Sequence, residues 1–497
     1  MTIPEALDRR AAAAPEALAL DDVSYAELRA GALRVAAQLR RRGIADGERL
    51  ALYAENSRAF VYAYLGGLYA GAIVVPTNVL YREADLARVI DDSDARAVAV
   101  SQQSRTVAAA TLTRELLDLD ELRGWAADSN LPLALPANPR PEDLATLIYT
   151  SGTTGRAKGA MLTHGNLAAI AEQVTTAWHW TSRDVLLLTL PLFHVHGLGA
   201  GLNGTLFSGA RVLLRERFDA AEVAATLAKG EASMFFGVPT MYVRLLENAG
   251  AVPFEHVRLF VSGSAALPAS VHEAFARRFG ASILERYGST EFGFALTNRY
   301  RGPRYAGTVG FPFPGVEVAL RAPEDGSPVP SNVGEILVSG PNVCAGYWRN
   351  DEATAAAFIV DAGGKRWYRS GDLGWFDPER GYTIAGRIKE LIISGGFNIY
   401  PLEVEDELLR LPGVRACAVV GKPDAARGEI PVAFIESGPE LDEQMLLEVL
   451  RARLASFKVP KEIHRIDALP RNAMGKVDKP RLRAALSATG RTDGPQG

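Results

Sequence analysis

The residues best suited to chemistry lie in the run "YTSGTTGRAKG", from Tyr149 to Gly159, which contains three glycines, five hydroxyl residues and a lysine. Glycines let backbone N–H groups approach an anion closely, and hydroxyls and lysine supply further donors. The composition therefore predicts a loop that binds phosphate groups. A flexible surface turn is the alternative, but a turn would not need this set of donors together, which comprises Ser151, Thr153, Thr154 and Lys158.

The loop is not a Walker A loop. That motif needs a second glycine five residues after the first, followed directly by lysine and a hydroxyl residue. Here Ala157 stands five residues after Gly152, and Lys158 is followed by Gly159. The phosphate chemistry must therefore be of another kind.

The segments around the loop indicate how it is positioned. "ATLIYT" before it predicts a strand, and "MLTHGNLAAIAEQ" after it predicts the start of a helix. Further apolar runs of strand length, "RLALYAE", "AIVVPTN" and "ARAVAVS", alternate with helical periodicity such as "YAELRAGALRVAAQLRRRG". This alternation is typical of an α/β fold in which helices cover parallel sheets.

A domain boundary is predicted near "YTIAGRIKELIISGGFNIYP". After Tyr400 the pattern changes to a small α+β unit with a helix in "PLEVEDELLRLPG", a strand in "RACAVVGK" and a second helix in "DEQMLLEVLRARLASF". We predict a large N-terminal domain of helix-covered β-sheets over 1–388, a small mobile C-terminal domain over 389–486 and a disordered tail over 487–497.

Bulk composition narrows the function classes. A chain of 497 residues is too long for one core, and a net charge of -4 gives no reason to expect a nucleic-acid partner. Its two cysteines, Cys344 and Cys417, provide neither a disulfide framework nor a cysteine metal site, which fits a reducing cytoplasm. The N-terminus shows no signal peptide.

One apolar run, "AFVYAYLGGLYAGAIVVPTNVLY", has roughly the length of a membrane span. It contains three glycines followed by Pro76, and its last third is β-branched. We predict a buried helix followed by a buried strand rather than a membrane span.

Five motifs in order resemble the adenylate-forming (ANL) superfamily of acyl-CoA synthetases, adenylation domains and luciferases. They are "YTSGTTGRAKG", "YGSTE" (Tyr287–Glu291), "YRSGD" (Tyr368–Asp372), "GRIKE" (Gly386–Glu390) and "PRNAMGK" (Pro470–Lys476). The resemblance covers nearly the whole chain. "FFGVPTMYVRLL", "LPLFHVHGLG" and the segment after "ERYGSTE" are most similar to the malonyl-CoA synthetase branch, from which Ser289 and Phe292 depart beside the predicted acyl pocket.

The resemblance implies a two-step reaction. A carboxylic acid attacks the α-phosphate of ATP to give an acyl-adenylate and pyrophosphate, and the thiol of CoA then displaces AMP. Lys158, Glu291 and Lys476 are the implied catalytic residues, and Thr150 and Glu291 would hold Mg²⁺, which prefers oxygen ligands. Lys476 would bridge the carboxylate and the α-phosphate; a solvated surface lysine is the alternative.

The resemblance also implies a nucleotide site. Asp372 would accept hydrogen bonds from the ribose, helped by Arg387, and adenine would lie between "GSAA" (Gly263–Ala266) and the ring of Tyr287. The alternatives are a simple Arg387–Asp372 pair and core packing of Tyr287. The full predicted ATP set is Thr150, Ser151, Gly152, Thr153, Thr154, Gly155, Lys158, Ser264, Ala265, Tyr287, Gly288, Ser289, Thr290, Asp372, Arg387 and Lys476.

The family places its hinge at the position of Lys389, and Gly395 and Gly396 would then let the pantetheine arm of CoA pass. A plain β-turn is the competing interpretation of the two glycines.

Acid binding is predicted at three residues. Arg286 follows the apolar strand "ASIL" and precedes Tyr287, Arg244 lies in an apolar helix, and His194 would form a pocket wall. A guanidinium can hold a carboxylate through two parallel hydrogen bonds. One or both arginines could therefore bind the far carboxylate of a short dicarboxylic acid. The alternatives are pairing of Arg244 with Glu247 and of Arg286 with Glu285 or another structural acid.

The leading hypothesis is a cytoplasmic ligase that joins malonate, or methylmalonate, to CoA. A ligase for another short- or medium-chain or fatty acid, or one that loads a carrier-protein thiol, is the second. A non-catalytic ATP-binding relative is the third. A serine hydrolase is disfavoured because no G-x-S-x-G motif occurs. The predicted partners are the small carboxylic acid, ATP and CoA.

Overall fold

The computed structural model describes residues 1–150, 157–248, 250, 253–322, 327, 329, 333–438, 441–471 and 477–489. Its strands are β1 Leu18–Leu20, β2 Val23–Ser24, β3 Arg49–Tyr53, β4 Ile73–Thr77, β5 Ala97–Val100, β6 Glu115–Asp118, β7 Leu144–Thr150, β8 Lys158–Thr163, β9 Val185–Leu188, β10 Arg211–Leu214, β11 Met234–Gly237, β12 Leu259–Ser262, β13 Ile283–Tyr287, β14 Leu296–Thr297, β15 Phe311–Pro312, β16 Glu317–Arg321, β17 Gly334–Ser339, β18 Phe358–Val360, β19 Arg366–Asp377, β20 Gly381–Arg387, β21 Ile392–Ser394, β22 Phe397–Ile399, β23 Val414–Asp424, β24 Gly428–Ser437 and β25 Glu462–Arg465.

Helices alternate with these strands. They are α1 Ile3–Ala13, α2 Tyr25–Arg41, α3 Arg58–Ala70, α4 Glu83–Ser93, α5 Gln102–Thr111, α6 Leu119–Ala127, α7 His164–Ala177, α8 Gly204–Ser208, α9 Ala220–Ala228, α10 Pro239–Asn248, α11 Ala269–Phe279, α12 Asp351–Ala357, α13 Pro401–Leu409, α14 Glu443–Arg453 and α15 Lys479–Thr489. A π-helical segment, His196–Asn203, precedes α8, and a 3-10 turn, Ile388–Glu390, follows β20.

Two largely parallel sheets form the centre of the N-terminal domain. One has the order β6-β5-β3-β4-β7-β8 and the other β15-β14-β13-β12-β11-β9-β10-β1-β2. Neighbours from β6 through β7 and from β13 through β1 are parallel, and antiparallel pairs lie at the edges. The predicted fold class, α/β with helix-covered sheets, is confirmed.

Two smaller sheets follow. β16, β17, β19 and β18 form an antiparallel sheet to which β20 adds on β19. In the C-terminal domain β22, β21, β24 and β23 pair in that order, and β25 lies parallel to β24. The predicted helices and strand after Tyr400 are present as α13, β23 and α14. The predicted boundary between 388 and 389 falls inside the 3-10 turn.

The apolar run near residue 60 is a buried helix and strand, as predicted. α3 is buried on nearly all sides, and β4 is buried at all five positions. A side chain at Gly66 would place its Cβ 2.6 Å from Val35 Cγ1, so the glycine permits close packing against α2. In the part of the chain that the structure describes, no helix is long and apolar enough to cross a membrane.

Two predicted boundaries are wrong. "MLT" belongs to strand β8, which pairs antiparallel with β7, and the helix begins only at His164, where the Thr163 side chain caps it. The opening loop therefore joins two strands of a hairpin rather than a strand and a helix. Helix α15 extends to Thr489, three residues into the predicted disordered tail, whose residues 490–497 lie outside the described ranges.

Candidate active site

The predicted phosphate loop, Ser151 to Gly155, lies outside the described residues, but its two ends are defined. Thr150 and Lys158 pair across β7 and β8, and the Thr150 hydroxyl donates to the Lys158 carbonyl oxygen at 3.5 Å. The Lys158 ammonium lies 5.3 Å from the centre of the Tyr347 ring. The β7–β8 hairpin thus places the Thr150 hydroxyl and Lys158 together at one end of the sheet.

Glu291 is buried next to this place, in the tight connection between β13 and β14. Its Oε2 accepts from the Ser289 hydroxyl at 2.8 Å and its Oε1 from the Tyr347 hydroxyl at 3.0 Å. Gly288 permits the connection, because a Cβ there would lie 2.0 Å from the Gly293 carbonyl oxygen. Thr290, between the two bonded residues, is half-buried.

The oxygen atoms of Thr150 and Glu291 are of the type that Mg²⁺ prefers. The described residues include no group of three His, Cys, Asp or Glu side chains that could hold a metal ion. Mg²⁺ usually binds through one or two carboxylates plus substrate phosphates and water, so the two predicted residues fit this ion in the presence of a nucleotide.

A hydrogen-bond network joins the predicted ribose residues. The Tyr287 hydroxyl donates to Asp372 Oδ2 at 2.6 Å, and Arg387 Nε lies 3.1 Å from Asp372 Oδ1. The pairing of Arg387 with Asp372, an alternative from the sequence, is therefore present. Burial, with the Asp372 charge adding to it, raises the pKa of Tyr287 well above its ordinary value.

Asp372 does not lie at a turn, as the motif suggested, but inside β19. Between β17 and β19 the register shifts, so that three residues, Ser370 to Asp372, face one on β17. Gly371 has φ 68°, a conformation that favours glycine, and this bulge re-aims the Asp372 carboxylate.

The segment predicted to lie against adenine follows β12. Ser264 has φ 71°, an uncommon backbone conformation for a residue other than glycine, while Ala265 and the alanine after it are exposed. The segment is fixed where the Leu267 N–H donates to Glu285 Oε1 at 2.8 Å. The two small residues thus leave this part of the segment accessible.

Arg286 is buried, with 3% of its surface exposed, and its Nη2 donates to the Ser264 hydroxyl at 3.3 Å. Its guanidinium lies 4.4 Å from the centre of the Phe294 ring, and among the described residues its Nε has no hydrogen-bond partner. Burial lowers the pKa of Arg286 to about 9. A side chain at Gly263 would place its Cβ 2.4 Å from Arg286 Nε, so only glycine leaves room for this guanidinium.

The alternative that Arg286 pairs with Glu285 is wrong. Neighbouring residues of a strand point to opposite faces of the sheet. Glu285 therefore binds the Leu267 N–H on its own face, and within the described ranges no carboxylate forms a salt bridge with Arg286. The result is a buried cation with unused hydrogen-bonding capacity.

His196 was not assigned a role from the sequence, yet it lies beside Arg286. It is buried, and its Nδ1 is 3.5 Å from the Ser264 hydroxyl. Its Nε2 has no hydrogen-bond partner in the part of the chain that the structure describes. Burial, with the Arg286 charge adding to it, holds the pKa of His196 well below its usual range, so the ring is neutral. The signal that could have found it is the second histidine of "LFHVHG"; His194 itself is half-buried beside Phe193.

Arg244 is exposed, so the structure gives no support to a role in acid binding. The buried face of α10 is formed by Pro239, Tyr242 and Leu245, and Arg244 falls outside this spacing. Among the described residues, Arg244 also forms no salt bridge with Glu247, the alternative partner.

The two residues that depart from the malonyl-CoA synthetase pattern, Ser289 and Phe292, contact residues of the predicted ATP and Mg²⁺ site. Ser289 donates to Glu291, and Phe292 is fully buried between the rings of Tyr287 and Tyr368. We therefore expect them to affect the position of Glu291 and Tyr287 more than the choice of acid.

The predicted hinge and channel residues lie at the start of the C-terminal domain. Lys389 is exposed in the 3-10 turn, and its carbonyl oxygen accepts from Arg483 Nη1 at 3.5 Å. Gly395 and Gly396, with φ 58° and 84°, form the two-residue turn between β21 and β22, so the β-turn alternative describes them here. Lys476 lies outside the described residues.

Comparisons with known proteins identify the family of this chain. The family model described as AMP-binding enzyme matches residues 7–348, and that of the AMP-binding enzyme C-terminal domain matches residues 403–476. This chain belongs to the AMP-binding enzyme family. It is an ATP-dependent acyl-CoA ligase of the adenylate-forming superfamily, with a large N-terminal and a smaller C-terminal domain.

Relatives within this family act on different acids. A feruloyl-CoA synthase of an Amycolatopsis species is 36% identical and covers 96% of this chain and 97% of its own. A mitochondrial malonate–CoA ligase of Mus musculus is 35% identical and covers 90% of this chain and 83% of its own. The crystal structure of ATP-bound MatB from Rhodopseudomonas palustris has a TM-score of 0.91 and 38% identity, covering 98% of this chain and 100% of that one.

Proposed function

We propose that this AMP-binding enzyme is a malonate–CoA ligase, with methylmalonate as a second substrate. The supporting observation is the buried guanidinium of Arg286, which has no carboxylate partner among the described residues. Relatives of nearly equal identity include a malonate–CoA ligase and a feruloyl-CoA synthase, so identity alone does not select the acid. The chemistry of the acid site supplies the choice.

In the first step one malonate carboxylate oxygen forms a bond to the α-phosphorus of ATP, and the bond to pyrophosphate breaks. Negative charge accumulates around the phosphorus, so positioning and electrostatic stabilisation dominate catalysis. Lys476 would contact both the attacking carboxylate and the α-phosphate, while Lys158 and the loop before it would hold the β- and γ-phosphates. Mg²⁺ held by Thr150 and Glu291 would neutralise phosphate charge.

In the second step the thiol of CoA loses its proton to solvent and its sulfur bonds to the acyl carbon, and AMP leaves with the electron pair of the broken C–O bond. Asp372, Tyr287 and Arg387 would hold the nucleotide throughout, since their hydrogen bonds join one network. Lys389 would act as the hinge between the two steps, and the pantetheine arm would pass Gly395 and Gly396.

Arg286 would bind the distal carboxylate, joined by the Ser264 hydroxyl and the His196 ring. The Ser264 oxygen lies within 3.5 Å of both side chains, so the three polar groups converge. A monocarboxylic acid would leave the buried guanidinium unpaired, at a cost on the order of 1–3 kcal/mol or more. That cost corresponds to roughly tenfold to a few-hundredfold discrimination in kcat/KM.

The test is a panel of acids with ATP, Mg²⁺ and CoA, read by AMP release. Malonate, methylmalonate, succinate, sulfoacetate, acetate, butyrate, octanoate, benzoate and ferulate separate the acid classes. We expect malonate to have the highest kcat/KM. A preference for octanoate, benzoate or ferulate with no use of malonate would contradict the proposal and favour a fatty- or aryl-acid ligase. No AMP release with any acid would favour a non-catalytic ATP-binding relative.

Variants of Arg286 make the test specific. Arg286→Leu should lower kcat/KM for malonate by about tenfold to a few hundredfold and spare or raise activity on butyrate. Arg286→Lys should rescue only in part, because an ammonium cannot make the bidentate pair. Arg244→Leu is the matched control, since it removes an exposed arginine and should leave the acid preference unchanged. Equal losses on malonate and butyrate in Arg286→Leu would assign Arg286 a structural role.

The predicted cytoplasmic location stays a prediction from the sequence, and a relative named above is mitochondrial.

A further inference from the structure

Tyr347 lies in a segment that is held on two sides by backbone hydrogen bonds. The Trp348 N–H donates to the Gly159 carbonyl oxygen at 2.8 Å, and the Met161 N–H donates to the Gly346 carbonyl oxygen at 2.9 Å. Tyr347 thereby forms an isolated β-bridge with Ala160, two residues after Lys158. The segment acts as an extra strand along β8.

The same segment is tied to the connection that carries Glu291. The Cys344 N–H donates to the Glu291 carbonyl oxygen at 2.7 Å. Tyr347 therefore stands between the hairpin end that presents Lys158 and the turn that presents Glu291, and its backbone is fixed relative to both.

The Tyr347 side chain contacts both functional groups. Its hydroxyl donates to Glu291 Oε1 at 3.0 Å and lies 3.1 Å from the Tyr368 hydroxyl, while its ring faces the Lys158 ammonium at 5.3 Å. A carboxylate only accepts, so the single Tyr347 proton goes to Glu291. Tyr368 must then donate to the Tyr347 oxygen, which gives a directed chain from Tyr368 through Tyr347 to Glu291.

The Glu291 carboxylate is consequently held at both oxygens. Ser289 donates to Oε2 and Tyr347 to Oε1, so rotation of the carboxylate plane would break one bond or the other. Each carboxylate oxygen keeps a further lone pair for another ligand.

We propose that Tyr347 is a positioning residue that orients Glu291 for Mg²⁺ and Lys158 for the ATP phosphates. The inference rests on the proposed roles of those two residues. The hydroxyl and the ring have separable tasks: the hydroxyl acts on the carboxylate and the ring acts on the ammonium, through a cation–π contact. Removing one should therefore leave the other.

Tyr347→Phe removes the hydroxyl and keeps the ring. The Mg²⁺ concentration that gives half-maximal pyrophosphate–ATP exchange should rise about tenfold, since a hydrogen bond to a charged group is lost, and saturating Mg²⁺ should restore kcat. The same shift should appear without catalysis, in the Mg²⁺ dependence of binding of a non-hydrolysable ATP analogue measured by calorimetry. Tyr368→Phe, one step further along the chain of hydroxyls, should produce a smaller shift in the same direction.

Tyr347→Leu removes the ring as well. Its KM for ATP should stay raised at saturating Mg²⁺, because Lys158 has lost the surface it faces, whereas Tyr347→Phe should then match the wild type. Tyr382→Phe is the matched control: it removes another buried hydroxyl, which donates to the Val318 carbonyl oxygen at 3.2 Å, and should not change the Mg²⁺ dependence.

An unchanged Mg²⁺ dependence in Tyr347→Phe, or a shift equal to that of Tyr382→Phe, would overturn the proposal and make the tyrosine a packing residue. The exchange assay uses whichever acid of the panel is fastest, so a wrong assignment of malonate does not affect the result. A wild type that binds the analogue equally with and without Mg²⁺ would instead overturn the metal role of Glu291, and with it this proposal.

Discussion

Glu285 and Arg286 are adjacent on β13, carry opposite charges, and are both buried without contacting each other. Their side chains point to opposite faces of the strand, so each is stabilised by different neighbours. Arg286 faces the Ser264 hydroxyl and the Phe294 ring, whereas Glu285 accepts the Leu267 N–H. Glu285 Oε2 has no hydrogen-bond partner within the described ranges, which makes this carboxyl costly to ionise.

Burial, with a contribution from the Asp406 charge, raises the pKa of Glu285 to about 8. Between its ordinary value near 4.5 and about 8, the folded state keeps a proton that the unfolded state has released. The contribution of this proton to the free energy of unfolding is therefore fully present below the pKa of the unfolded state. It is lost as the pH rises through the pKa of the folded state, and the loss is at most about 5 kcal/mol.

Glu285→Gln should weaken the dependence of the free energy of unfolding on pH. The amide keeps an acceptor for Leu267 and cannot ionise, so the variant should resemble the wild type at pH 5 and be more stable at pH 9. Thermal unfolding of both proteins across this range checks the prediction, and the difference between them cancels the other titrating groups. Parallel profiles would show that Glu285 is ionised at neutral pH in the folded protein.

At the scale of elements, helix α15 begins with a lysine, although a cation at a helix N-terminus opposes the helix dipole. Lys479 is tolerated there because its ammonium lies 2.8 Å from Glu405 of α13 and 3.1 Å from Glu390 of the 3-10 turn. Lys479 is 14% exposed, so the three side chains form a largely buried cluster. This cluster joins the last helix to both the hinge segment and the C-terminal domain.

Lys479→Met should lower the thermal midpoint markedly, because it leaves two mostly buried carboxylates without their cation, at a cost of roughly 3 kcal/mol. Lys365→Met is the comparison, since it breaks an exposed pair with Glu317 and should cost less than about 1 kcal/mol. The two variants remove the same charge, so a similar shift in both would contradict a stabilising role for the buried cluster.

At the scale of the whole molecule, the C-terminal domain contacts the N-terminal one close to the site. Asp406 of α13 is near enough to Glu285 of β13 for its charge to raise the pKa of that carboxyl, and α13 packs beside β20. Helix α13 of the small domain thus lies near β13 and β20 of the large one. A rotation of this domain about Lys389 would rebuild one side of the site between the two half-reactions.

Lys389→Pro and Lys476→Ala should impair opposite half-reactions. Proline holds φ near −65°, which suits the 3-10 turn but restricts rotation, so adenylation should persist while acyl-AMP accumulates and CoA turnover falls.

Lys476→Ala should nearly abolish adenylation, yet the variant should still form thioester from supplied acyl-adenylate. Pyrophosphate exchange and thioester formation measure the two steps separately. Normal thioester turnover in Lys389→Pro would remove Lys389 from the hinge role, and equal losses in Lys476→Ala would contradict its assignment.

The sequence by itself determined the fold class, the order of the elements and the family, because each depends on local information. Residue periodicity predicts strands and helices within short windows. Contiguous motifs such as "YGSTE" and "YRSGD" identify the family without any knowledge of contacts.

Only the tertiary structure decided which of these residues act together. Arg244 and Arg286 were both candidates from the sequence, but helix packing exposes one and the sheet buries the other. His196 and Tyr347 gave no comparable signal, because their roles arise from contacts with Ser264 and Glu291, which are 68 and 56 residues away along the chain. Such contacts follow from how strands cross and pair, and no local pattern encodes them.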